Sequence, residues 1–238
     1  MKKSHKYLYS LLGTIAGLVF CFSVVARVGL SDLNSNAEQP PENLPHESEL
    51  SDFSQLDING FWKVEIIQGD EWQVQTNNDN KGVKIQAYVR GKELVLKQKS
   101  HISFWNGKFD FNASATIQMP TLEKLDISGA SQVEISGFEG QKLEVDVSGA
   151  AELIGENSRY ETFALDSSGA SGVNFEDVTV TSATIDMSGA ANLILTMNGG
   201  NLSGEVSGAG NIKYYGTVAS QNIETSGAAN VSHAGQKK

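Results

Sequence analysis

From Leu125 onward apolar and polar positions alternate along the chain. Leu125 and Ile127 flank Asp126, and Val145 and Val147 flank Asp146. A period of two is that of a strand with one buried face, not of a helix. A Ser-Gly-Ala then breaks the alternation, and glycine accepts a positive φ without a Cβ clash. A second alternating run follows in each case: Val133 and Ile135, Val173 and Phe175, Leu193 and Leu195, Ile212 and Tyr214. Further turn signals close these runs at Gly137, Gly155, Gly199-Gly200 and Gly216. The pattern predicts a unit of strand, turn, strand, turn.

That unit repeats. LDISGAS stands at 125–131, VDVSGAA at 145–151, LDSSGAS at 165–171 and IDMSGAA at 185–191, with looser copies GEVSGAG at 204–210 and IETSGAA at 223–229. The structural turns expected from these phrases are Ser128-Gly129, Ser148-Gly149, Ser168-Gly169, Ser188-Gly189, Ser207-Gly208 and Ser226-Gly227, at spacings of 20, 20, 20, 19 and 19. A fixed period near this length is the signature of stacked repeats. It leaves no room for crossover helices, so each strand must pair in parallel with its equivalent one unit on. At about 4.8 Å per rung, six copies make a rod of roughly 24 Å. A sandwich of hairpins fits less well, because hairpins reverse strand direction while identical phrases at constant period stack on themselves. The fold class expected is an all-β parallel solenoid with rungs of about 20 residues.

The serial Ser-Gly-Ala turns, with the upstream segment VEIIQGDEWQV at 64–74, resemble the auto-transporter adhesin head GIN domain family. The resemblance covers roughly residues 50–235. It implies a right-handed, pectin-lyase-like β-helix and, by analogy, a role in adhesion.

Upstream of the repeat the chain changes character. Lys2, Lys3 and Lys6 precede an uncharged run from Tyr7 to Ala26. About 20 residues of helix span the roughly 30 Å hydrocarbon core, whereas a signal-peptide core is usually about 7–15 residues. This length favours an uncleaved anchor over a cleaved leader within residues 1–30, and the lysines orient the remainder outward. Residues 31–50 are acidic and carry Pro40, Pro41 and Pro45, a composition expected to stay disordered. As a linker they reach roughly 25 Å. Residues 51–120 hold longer candidate strands without the rhythm: Leu56–Ile58, Trp62–Ile67, Trp72–Thr76, Val83–Val89, Glu93–Lys97 and Ala113–Gln118. Leu56-Asp57-Ile58-Asn59-Gly60 is a worn copy of the phrase. This part is expected to cap the solenoid, with Pro120 marking entry to the regular rungs of 121–238.

Charge divides along the same line. Residues 51–120 carry eight Lys+Arg against eight Asp+Glu, and residues 121–238 carry six against fifteen. A rod at net −9 is a poor partner for nucleic acid or anionic lipid. The single cysteine, Cys21, lies in the apolar leader, so no intrachain disulfide is expected.

Two residues before each turn serine stands an acid: Asp126, Asp146, Asp166, Asp186, Glu205 and Glu224. Alternation points these outward in a column, where neighbours about 4.8 Å apart repel by about 0.9 kcal/mol in water. Such a column reads as a Ca²⁺ ladder or as Asx-turns in which each Asp accepts its own turn's N–H. The fixed Asp-x-Ser spacing favours the second, and no metal or cofactor is expected. Catalysis finds no constellation. His5, His46, His101 and His233 lack motif partners, and Ser-Gly-Ala is not a nucleophile elbow. Glu176-Asp177 breaks the periodicity but reads as a solvated turn. Phe104-Trp105 and Tyr214-Tyr215 each put one ring outward, which reads as a stacking place for sugars or as an ordinary exposed aromatic with no role, the commoner case. The reading is a non-enzymatic envelope protein displayed outside the cytoplasm as an adhesion module, with a periplasmic scaffold or sensor and a glycan-processing enzyme as the alternatives. Its expected partners are a membrane through the leader, a surface glycan or envelope protein, and a second copy of the chain.

Overall fold

The computed structural model describes residues 49–78, 83–100 and 113–237. The expected Tyr7–Ala26 span, most of the linker, Cys21, His5, His46, His101 and Phe104-Trp105 lie outside the described residues. Among the described residues, no helix is long and apolar enough to cross a membrane. The described residues form thirteen strands in chain order: β1 (Gln55–Gly60), β2 (Trp62–Gln68), β3 (Gln73–Asn78), β4 (Val83–Arg90), β5 (Glu93–Ser100), β6 (Ala113–Met119), β7 (Lys124–Ser136), β8 (Glu139–Glu156), β9 (Ser158–Asn198), β10 (Asn201–Gly208), β11 (Asn211–Thr217), β12 (Ser220–Gly227) and β13 (Asn230–His233).

The repeat coils into a parallel β-solenoid of about six turns. The register steps by one unit throughout: Leu125 pairs with Val145, Asp126 with Asp146 and Gly129 with Gly149, and Val145 pairs with Leu165 in turn. Where the spacing shortens by one residue the pairing follows, Gly189 with Gly208 and Gly208 with Gly227. The flanking apolar residues fill the interior, Leu125, Val145 and Ile185 at no more than 1% exposure.

Two features differ from the strand-turn-strand-turn unit. The strand does not stop at Ser-Gly-Ala: β7 runs from 124 to 136 through it. The bend is taken by one positive φ, +107° at Gly129 and +134° at Gly149, while the backbone pairing carries straight on through Ser128↔Ser148 and Ala130↔Ala150. The residue after the alanine then sits buried at the inside of the corner, as Ser131, Ala151, Ser171 and Ala191. Each regular rung also has a third side. Glu139 pairs with Arg159 and Leu143 with Phe163, and Phe138, Leu143, Tyr160 and Phe163 are buried there. Its apolar positions are too irregularly spaced to show as a run of period two.

All six expected upstream strands form, within a few residues of their predicted bounds. Their order in space is not their order in sequence. β1 lies between β5 and β7, with Leu56 paired to both Leu94 and Leu125. β2 lies between β6 and β7, with Ile66 paired to both Ile117 and Ile135. The worn phrase therefore occupies an interior rung, Asp57 beside Asp126 and Gly60 beside Gly129. Beyond it β4 and β3 pair antiparallel with β5 and β6. Pro120–Glu123 consequently jumps a rung to reach β7. It takes six steps from Gln118 to Lys124 where the next rung takes eight from Ser136 to Glu144.

Candidate functional site

The acids before each turn fall on one outward face. Parallel pairing at equal register stacks Asp57, Asp126, Asp146 and Asp166 side by side, and Asp186, Glu205 and Glu224 continue the column. The turn serines lie two residues on, hence on the same face. Asp57, Asp126, Asp146 and Asp166 with Ser128, Ser148 and Ser168 line a shallow open groove of about 450 Å³. Toward the C-terminal end the column grows more exposed, from half-buried Asp126 and Asp146 to exposed Asp166, Asp186, Glu205 and Glu224.

Stacked carboxylates need compensation, and one cation supplies it at the buried end. Lys124 Nζ lies 3.2 Å from Asp126 Oδ2 and 3.1 Å from Asp146 Oδ2. Burial pushes the Asp126 carboxyl up to about 6, helped by a hydrogen bond shared with Asp146 and opposed by Lys124. Asp57 is raised too, by burial first and then by the charge of Glu93. Below about pH 6 the pair thus holds a proton as well as the cation, in a range where a free aspartate is already ionised.

The Asx-turns expected from the Asp-x-Ser spacing do not form. Among the described residues, Asp186 Oδ1 accepts the N–H of Glu205, 19 residues on, at 3.2 Å, and no acid of the column accepts from its own turn. The reason is that the strand continues through the turn, so those N–H groups already face the next rung. No three His, Cys, Asp or Glu side chains among the described residues converge as a metal site. Two contributors to the face were missed in the sequence, Asp57 and Lys124. Each had a signal: Asp57 is the acid of the worn phrase, and Lys124 stands two residues before Asp126, on the same side of its strand.

The other sequence candidates scatter. Tyr214 is buried and its hydroxyl donates to Gln221 Oε1 at 2.7 Å. Tyr215 is the outward ring of that pair and carries Lys213 Nζ 4.7 Å from its centroid. His233 stacks on Tyr214 at 4.8 Å. Lys237 bonds the Glu176 carbonyl at 3.0 Å and the Asp177 carboxylate. None of these meets the acidic column.

The sequence pattern of the family described as "Putative auto-transporter adhesin, head GIN domain" matches residues 52–176 and, overlapping, 162–235. The chain belongs to this family. Among solved structures, this head GIN protein is similar to a "putative adhesin" from Bacteroides fragilis NCTC 9343, at 18% identity and a TM-score of 0.59, covering 82% of this chain and 99% of that one. It is also similar to a "putative lipid binding protein" from Parabacteroides distasonis ATCC 8503, at 16% identity and a TM-score of 0.40, covering 77% and 94%. A "putative cell adhesion protein" from Clostridium sporogenes ATCC 15579 follows at 13% identity and a TM-score of 0.28, covering 82% and 97%. No curated protein matches the head GIN chain. At such identities a likeness speaks for the fold alone, and the Bacteroides structure carries it.

Proposed function

We propose that this protein is a non-enzymatic adhesion module of the cell envelope, whose acid-and-serine ladder is the contact face. The observation that carries the reading is the ladder itself: chemically alike groups recur at every rung, outward and in register. A ligand that also repeats meets several equivalent contacts at once, and weak contacts that add along a rod give avidity without a strong pocket. A surface polysaccharide or a proteinaceous coat has that repetition. In the same proposal, residues 1–30 anchor the chain in a membrane and residues 31–50 tether it. Residues 51–120 cap a right-handed coil whose regular rungs, 121–238, stand outside the cytoplasm. The family's description as an adhesin supports this placement.

The test is retention of the protein on cell-surface material, as a monomer and clustered on beads. Clustered protein is expected to bind and monomer barely so, with retention fading gradually as rungs between 145 and 204 are removed in units of about 20 residues. Reducing sugar released by the protein, and lost with one or two carboxylates, would replace this reading by an enzyme.

A further inference from the structure

The solenoid finishes differently at its two ends. At the N-terminal end the stack closes in antiparallel strands, β4 against β5 and β3 against β6, and β4 carries an exposed Lys84. At the other end, among the described residues, β12 pairs only with β10 and β13 only with β11. The described tail does not return over this edge. Ala234 donates to the Tyr214 carbonyl at 2.8 Å, Gly216 donates to the Gly235 carbonyl at 2.9 Å, and Lys237 reaches back to the Glu176 carbonyl at 3.0 Å. The tail therefore runs along the side of the rod towards earlier rungs.

A free strand edge is a template for pairing, and proteins blunt it with lysine, proline or a covering segment. β12 reads SQNIETSG, with neither lysine nor proline. The rung beneath buries Leu202, Val206, Ile212 and Tyr214, whereas Ile223 and Val231 of the last rung are only half-buried. Backbone direction identifies the groups on the open side. In a parallel ladder, alternate residues turn N–H and C=O to opposite neighbours. Glu144 donates back to the Glu123 carbonyl at 2.9 Å, and the Glu205 N–H also faces back, towards Asp186. Asn222 and Glu224 keep that register through Ser203 and Glu205. Gln221, Ile223 and Thr225 therefore turn their backbone groups to the open side.

We propose that β12 pairs antiparallel with β12 of a second copy of this chain, about a two-fold axis at Ile223, joining two rods end to end. Side chains select this register. With Ile223 opposite its own copy, Gln221 stands opposite Thr225 and Asn222 opposite Glu224, so an amide meets each carboxylate. An axis at Glu224 would oppose two carboxylates, and one at Asn222 would oppose Ile223 with the Gln221 amide, both unfavourable cross-strand pairs. Gln221, Ile223 and Thr225 of each copy then exchange N–H and C=O groups across the axis. A rung of about 20 residues matches the roughly 20–30 residues that each side of a standard interface contributes. The two-fold consumes both edges, so the assembly closes as a dimer. It sets two acid-and-serine ladders in line, and it does not depend on what they bind.

The experiment is oxidative cross-linking of the full-length chain, purified in detergent with Cys21→Ser as background. Asn222→Cys and Glu224→Cys are made separately. In the proposed register, position 222 of one copy lies opposite 224 of the other at a Cα separation of about 4.5 Å, within disulfide reach. Two copies of 222, or of 224, lie diagonally at about 7–8 Å, beyond that reach. The two variants mixed are expected to form a disulfide dimer on mild oxidation, and either alone at least about tenfold less. In sedimentation the parent is expected to be a dimer. Thr225→Pro removes an N–H on the open side, where an edge strand tolerates proline, and is expected to raise the dimer dissociation constant at least about tenfold. The cross-link leaves the backbone intact and so decides the matter even where proline unfolds the last rung. A parent that sediments only as monomer, no cross-link in the mixture, or equal cross-linking by either variant alone would overturn the proposal. A dimer unmoved by Thr225→Pro would overturn it too, by placing the contact elsewhere.

Discussion

The glycine column permits a prediction in which two physical costs separate. Gly149 has a φ of +134°, and a Cβ built on it would stand 2.3 Å from the carbonyl oxygen of Gly129, its partner one rung before. Gly169 repeats the arrangement against Gly149, again at 2.3 Å. Alanine at 149 therefore meets a left-handed backbone, costing roughly 1–2 kcal/mol, and a backbone oxygen that the ladder holds in place, costing roughly 1–3 kcal/mol more. Two other glycines isolate the terms. Gly91 has a φ of +64° with open space around its missing Cβ, and Gly172 has open space and no positive φ. Urea unfolding of the purified protein is expected to give Gly172→Ala within about 0.5 kcal/mol of the parent. Gly91→Ala should lose about 1 kcal/mol and Gly149→Ala about 2–5 kcal/mol. Equal losses for Gly149→Ala and Gly91→Ala would mean that rungs do not bear on one another at the turn, and the reasoning would fail.

The architecture was legible because a solenoid writes its geometry in one dimension. A constant period fixes parallel stacking, and Asp126, Asp146 and Asp166 share a face because each stands between two inward residues, apolar on both sides of Asp126 and Asp146, and Leu165 and Ser167 beside Asp166. What the sequence hid was three-dimensional order. Nothing local says that Leu56–Gly60 slips between β5 and β7, because both neighbours lie far along the chain. The third side escaped because Phe138, Leu143, Tyr160 and Phe163 keep no period of two. The Asx-turn expectation failed for a related reason: it treated each turn alone, whereas the neighbouring rung takes up the turn's backbone donors. Lys124 matters through contacts across rungs, and a spacing argument reaches such a residue only once the rung length on every side is known.

Charge along the ladder supplies the remaining predictions. Replacing Lys124 by Met removes the cation shared by Asp126 and Asp146. Thermal melts at pH 7.5 are expected to show a loss of about 1 kcal/mol, in the range of partly exposed ion pairs. At pH 4.5 the loss should shrink, because a proton on Asp126 then does the work of the cation. The parent protein should itself depend on pH through the same group. Asp126 titrates near 6 in the fold against an ordinary 3.8, so the folded chain holds this proton more tightly than the unfolded one. The resulting stabilisation is full below the unfolded value and is lost as pH rises through the folded one. A shift of that size corresponds to about 3 kcal/mol when fully buried. With 29% of the Asp126 side chain exposed, solvent screening brings it to about 1 kcal/mol. Asp57, raised as well, acts in the same direction. Asp126→Asn cannot ionise, so it isolates the effect from the protein's other carboxylates. The variant is expected to match the parent near pH 4.5 and to exceed it by about 1 kcal/mol at pH 7.5. A variant less stable than the parent at pH 7.5 would show that the Asp126 carboxylate is favoured, not penalised, in the stack, and the account of the ladder's buried end would have to be given up.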